Sequence, residues 1–142
     1  MQTAVEARKA YDCEIDVAGI FVKMDRMLLE IFDGSFSEID GRDDAMTAAV
    51  AALESHGLQA LAIWTRMVLA ARRLVAGLPV VDETAFSDLD RYAVRVRDNQ
   101  IQLFGLLLEG WQSLAEGRPV NAKFRAVQVM RLSSEIAEYM QN

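Results

Sequence analysis

Apolar residues recur every three or four positions from Met46 through Val50, Leu53, Gly57, Ala60, Trp64, Val68 and Ala71 to Val75. That is the period of one helix face. The step keeps its phase across Ser55-His56-Gly57, so the pattern predicts one helix of roughly 34 residues, about 50 Å long. Asp43 and Asp44 at its start and Arg72 and Arg73 at its end complement the helix dipole.

Three further apolar series flank it. A first helix is expected from an N-cap at Thr3 to Phe32, with Tyr11, Ile15, Ala18, Val22, Leu28 and Phe32 near one face. A third begins at Thr84 or Ser87 and carries Phe86, Leu89, Ala93, Val96, Leu103, Leu107, Trp111 and Leu114. A fourth starts near Asn121 and carries Phe124, Val127, Met130, Ser134, Ala137 and Met140. Gly34 and Gly41, Gly77 with Pro79, and Gly117 with Pro119 mark the three turns between them. No strand pattern, internal repeat or long linker interrupts the series. The short connections predict an all-α, antiparallel up-down-up-down four-helix bundle, one domain over residues 1–142.

Unequal lengths add a consequence. The fourth helix, at about 31 Å, is shorter than its neighbours at about 45 to 50 Å, so one end of the bundle is left open. Tyr11, Leu74, Val75, Phe86, Leu89 and Tyr92 fall at that end. A partner helix, a second subunit or the 78–85 loop is expected to cover them. Arg91 and Arg95 lie one turn apart beside this surface and suit an acidic partner. Asn99 and Gln100 interrupt the apolar seam, as residues that set register between helices do.

Composition narrows the function classes. Hydrophobic residues make up 52% of the chain, yet the apolar runs are far shorter than the ~20 residues that cross a bilayer, so no membrane span is expected. A single cysteine, Cys13, and the lack of a signal-like N-terminus point to the cytoplasm. The net charge of −6 argues against a nucleic-acid partner. The acidity is concentrated in residues 1–56, with 12 acids and 5 bases.

Chemistry is sparse. His56 follows Glu54 by two residues, about 200° apart on a helix, so the pair does not form a di-iron ligand set, and no metal or cofactor is expected. A lone helical histidine in an acidic bundle resembles a histidine phosphotransfer domain, but Gln59 and Ala60 stand where that family places lysine and glycine. Asp12 and Glu14 beside Cys13 raise a thiol pKa rather than activate it. Seven methionines suit core filling or an adaptable surface.

Two stretches resemble flagellar export chaperones of the flagellin-binding type. One is Ala10-Tyr11 with Met27-Leu28-Leu29-Glu30-Ile31-Phe32-Asp33-Gly34, and the other is Leu89, Tyr92, Arg95 and Asn99. The resemblance covers under a third of the chain, and the aromatic-rich C-terminal helix of that family is not evident in residues 121–142. It implies a small cytoplasmic helical bundle that binds a client protein. The sequence reading is therefore a non-enzymatic protein-interaction module that takes a partner helix in an apolar groove. Phe86, Leu89 and Tyr92 are its expected anchors, and Arg91 and Arg95 its charge selectors. A self-assembling structural homodimer and a phosphotransfer domain are the alternatives.

Overall fold

A computed structural model describes residues 16–33 and 41–141 of the chain. They form six α-helices and no strand: α1 (Val17–Asp33), α2 (Gly41–Ser55), α3 (Gln59–Val75), α4 (Ala85–Val96), α5 (Asn99–Ala115) and α6 (Pro119–Gln141). The all-α expectation holds. No helix among the described residues is long and apolar enough to cross a membrane.

Six helices replace the four expected because two long apolar series are broken by tight turns. Gly57 adopts φ 74°, its N–H reaches Glu54 O, and Leu58 N–H reaches Leu53 O at 2.9 Å. This pair of bonds is the Schellman ending, which needs a residue in the left-handed region just past the helix. The expected 34-residue helix is therefore α2, of 15 residues, and α3, of 17. Its charged ends lie where expected, with Asp43 and Asp44 opening α2 and Arg72 and Arg73 closing α3.

The same ending recurs at Gly77 and Gly117, both at φ 74°, and at Arg97, at φ 59°. Arg97 N–H bonds to Val94 O and Asp98 N–H to Ala93 O at 2.9 Å. Asp98 then caps the next helix, its Oδ1 accepting from the N–H groups of Gln100 and Ile101. The expected third helix thus becomes α4 and α5. The last helix begins at Pro119, a residue suited to a first helical turn, and at 23 residues it is the longest described. The expectation of a shorter fourth helix is overturned, and with it the open bundle end that it implied.

The chain divides into two compact units, Met1–Leu69 and Ala70–Asn142, with the boundary inside α3. In the first unit, Leu53 and Ala62 form a buried core joined by Val17, Ile20, Ala52, Leu58 and Leu61. Glu30 of α1 and Arg42 of α2 are linked by two hydrogen bonds, 2.8 and 3.1 Å long. The Thr65 hydroxyl donates to Leu61 O and lies 3.8 Å from Met24 Sδ. In the second unit, α5 packs against both α4 and α6.

Candidate functional site

Two glycines set the geometry of the second unit. A Cβ at Gly105 would lie 3.5 Å from the Asp90 backbone nitrogen and 3.6 Å from Phe86 O, so α4 and α5 meet backbone to backbone. A Cβ at Gly110 would lie 3.5 Å from Arg125 Cβ, so α6 meets α5 half a turn further round. Close approach of this kind brings polar side chains from three helices together.

Asp90 of α4, Glu109 of α5 and Arg125 of α6 form the resulting cluster. Arg125 Nε lies 2.8 Å from Glu109 Oε2, and Arg125 Nη1 donates to Gln128 Oε1 at 2.7 Å. The ion pair lacks hydrogen-bond alignment, and both Glu109 Oε2 and Asp90 Oδ1 are buried with no hydrogen-bond partner. Burial pushes the Asp90 carboxyl up, against the opposing pull of Arg125, Arg91 and Gln102. Burial likewise raises Glu109, opposed by Arg125 and Arg91 and reinforced by Asp90.

The sign of the pH effect follows. A carboxyl raised by folding holds its proton in the folded unit at pH values where the unfolded chain has lost it, so stability declines as pH rises through the raised values. Between about pH 4 and 7, the Asp90→Asn/Glu109→Gln variant is expected to lose less stability on raising the pH than the wild type does. Urea midpoints of the two proteins across that range check this. Parallel pH slopes would show that the two carboxyls titrate alike in the folded and unfolded chains.

A polar cavity of about 310 Å³ opens beside this cluster, lined by Glu83, Ser87, Gln112, Ser113, Asn121 and Phe124 together with the Glu109, Arg118 and Arg125 side chains. Gln112 Nε2 donates to Glu116 Oε1 at 3.1 Å, and Arg118 pairs with Glu116. A second, more apolar cavity of about 390 Å³ lies among Leu74, Leu78, Pro79, Val80 and Ala115. Among the described residues, no group of three His, Cys, Asp or Glu side chains is placed to hold a metal ion.

The opposite face of α5 carries the more unusual feature. Glu109, Gln112 and Ser113 are each only 7% exposed, whereas Leu107, Trp111 and Leu114 are 52%, 48% and 62% exposed. Glu109, Gln112 and Ser113 share the buried side of the helix with Leu106 and Leu108, while three large apolar side chains face outward, where an ordinary surface helix carries polar ones. Leu107 and Leu114 lie three residues before and four after Gly110, so this row borders the α5 and α6 seam. On α6, Val127 and Met130 are exposed as well.

The sequence-predicted site residues are scattered. Tyr11 lies outside the described residues. Leu74 is buried and lines the apolar cavity, while Val75 is partly exposed. Phe86 and Leu89, 1% and 0% exposed, are core residues of the second unit and present no anchor to a partner. Tyr92 is half-buried, with the Arg95 guanidinium 5.8 Å from its ring centre. Arg91 is exposed, and its nearest Asp88 oxygen is 3.6 Å away.

Leu107, Trp111 and Leu114 were legible as a stripe but not as an outward one. Glu109, Gln112 and Ser113 on the other side read by themselves as a solvent face, so the local pattern points the wrong way. His56 sits past the end of α2, with Nδ1 2.9 Å from Ala52 O and 3.2 Å from Ser55 Oγ. Cys13 lies outside the described residues.

No protein-family model matches this chain, and no curated protein or solved structure matches it.

Proposed function

We propose that this chain is a non-enzymatic helical protein-interaction module whose contact surface is the outer face of the hairpin formed by α5 and α6. The observation that carries the proposal is the apolar row on the outer side of α5, where Leu107, Trp111 and Leu114 are 52%, 48% and 62% exposed while Glu109 and Gln112 share the buried side with Leu106 and Leu108. A contiguous apolar row on an outer face is the mark of an interaction site, because water disfavours it and a partner removes it from water. Trp111 is the natural central anchor, since tryptophan is enriched among residues that dominate interface energies. The docking mode is helix against helix, with anchors at i, i+4 and i+7. The partial resemblance to flagellin-type export chaperones is consistent with a client of this kind, and a cytoplasmic secretion chaperone or adaptor is the role it suggests.

The test is a Leu107→Asp/Leu114→Asp variant. Both side chains are outside the core, so helical content and thermal midpoint should stay close to wild type. Withdrawing two leucines from an interface costs about 3 kcal/mol or more, or roughly 100-fold or more in affinity. A protein captured by the wild type, purified and titrated back, should bind the variant that much more weakly. Equal affinity for a folded variant would remove this face from the function.

A further inference from the structure

We infer that the polar cavity where the start of α4, the second half of α5 and the start of α6 converge is a binding site for a small zwitterion, an α-amino acid. The site is separate from the apolar row on the outer side of α5. Its floor is made by Glu109 and Ser113, which lie one turn apart on α5, line the cavity and are each only 7% exposed. Neither side chain is satisfied within the protein. The Ser113 hydroxyl has no hydrogen-bond partner among the described residues, and Glu109 Oε2 is buried beside the Arg125 guanidinium without a hydrogen bond. Buried polar groups in this state cost free energy that a hydrogen-bond donor placed in the cavity returns.

The charges around the cavity are sorted by element. Glu83, just before α4, and Glu109 of α5 supply two carboxylates, and Arg118, just before α6, and Arg125 of α6 supply two guanidinium groups. A ligand with a single charge meets its own sign here as readily as the opposite one, whereas a molecule carrying both charges finds a counterpart for each. Arg125 turns Nε toward Glu109 and Nη1 to Gln128, which leaves Nη2 for a carboxylate. Arg118 is held by Glu116 in an exposed pair, and exposed pairs hold weakly. The ligand's ammonium group, with three donors, answers Glu109 Oε2, the Ser113 hydroxyl and the exposed Glu83 at the rim. At about 310 Å³ the cavity stands at the lower end of ligand cavities, about 300 to 1,000 Å³, which suits a molecule of amino-acid size. Phe124 in the lining offers apolar surface to its side chain.

A thermal-shift screen of the common L-amino acids selects the probe, and calorimetry on the full chain then compares the best-bound amino acid with its decarboxylated amine and its deaminated acid. Both analogues are expected to bind about tenfold or more weakly, because each leaves one pair of charges in the cavity unanswered. Glu109→Gln should weaken the amino acid by a similar factor and Ser113→Ala by several-fold, with helical content unchanged. Ser113→Ala removes a hydroxyl that the fold itself does not use, so it decides the matter should Glu109→Gln disturb the unit. Failure of every amino acid to bind at millimolar concentration would leave water as the occupant and overturn the site. An amine or acid that binds as tightly as the amino acid would overturn the zwitterion, and an affinity unmoved by both substitutions would place the binding elsewhere. Leu107→Asp/Leu114→Asp should bind the amino acid as the wild type does, so this inference and the interaction-module reading fail separately; a lost affinity in that variant would overturn the separate site.

Discussion

Leu89→Asp is expected to unfold the second unit, residues 70–142, rather than to weaken a partner contact. Leu89 is 0% exposed in α4, one turn from the fully enclosed Phe86 and Ala93. Truncating a buried leucine costs about 2 to 5 kcal/mol, and an isolated carboxylate in its place adds a desolvation cost of its own. The combined loss, about 5 kcal/mol or more, compares with a total of roughly 5 to 15 kcal/mol for a folded domain. Circular dichroism should show the helical signal of this unit collapsing. A variant with unchanged ellipticity and an unchanged urea midpoint would place Leu89 at the surface after all. From sequence alone the same substitution reads as a binding variant with an intact fold, so this measurement separates the core assignment from the anchor assignment.

Gly105→Leu is the second large effect, and its sign depends on size. A Cβ at Gly105 falls in ordinary contact, 3.5 to 3.6 Å from the Asp90 and Phe86 backbones. Alanine therefore fits, and because glycine is a poor helix former, Gly105→Ala should raise stability by about 0.5 to 1 kcal/mol. Leucine has no such room. Its remaining carbons would meet the backbone of α4, which cannot give as a flexible side chain can, and overpacking of this kind costs about 1 to 3 kcal/mol. Forcing α4 from α5 would also separate Asp90 from Glu109, so the pH dependence attributed to that pair should shrink in the leucine variant. Denaturant melts of the two variants decide the matter. A destabilised alanine variant would show the helices already too close, and an unaffected leucine variant would show them further apart than described.

Much of the helical framework can be read without coordinates. Period and turn residues locate the helix ends at Gly77 and Gly117, where glycine supplies the positive φ that closes a helix. The charged ends of the Asp43 to Arg73 stretch are likewise legible, because opposite charges mark opposite ends of the dipole. The break at Gly57 is harder. Its glycine is visible, but the apolar steps on either side happen to stay in phase, so periodicity argues for continuity where the hydrogen bonds show an ending. At Arg97 the local signal is weaker still, since arginine is an unusual occupant of the left-handed region and only Asp98, as a cap, hints at a new helix.

The candidate surface was partly visible as well. Leu107, Trp111 and Leu114 stand out by spacing, and the docking of a partner helix on an apolar face is a reading that the sequence supports. Which apolar residues form that face is another matter. Phe86 and Leu89 have the same spacing and the same chemistry, yet they lie in the core.

The sequence by itself determined that this protein is built of helices, where most of them stop, and that its acidity is concentrated in residues 1–56. Those properties depend on near neighbours along the chain, through backbone hydrogen bonds, turn conformations and charge. The tertiary structure alone decided which side of each helix faces inward, because Gly105 and Gly110 let three helices approach closely enough to bury Glu109 between the partly buried Asp90 and Arg125. With that side of α5 committed to the interior, helical geometry leaves Leu107, Trp111 and Leu114 on the surface.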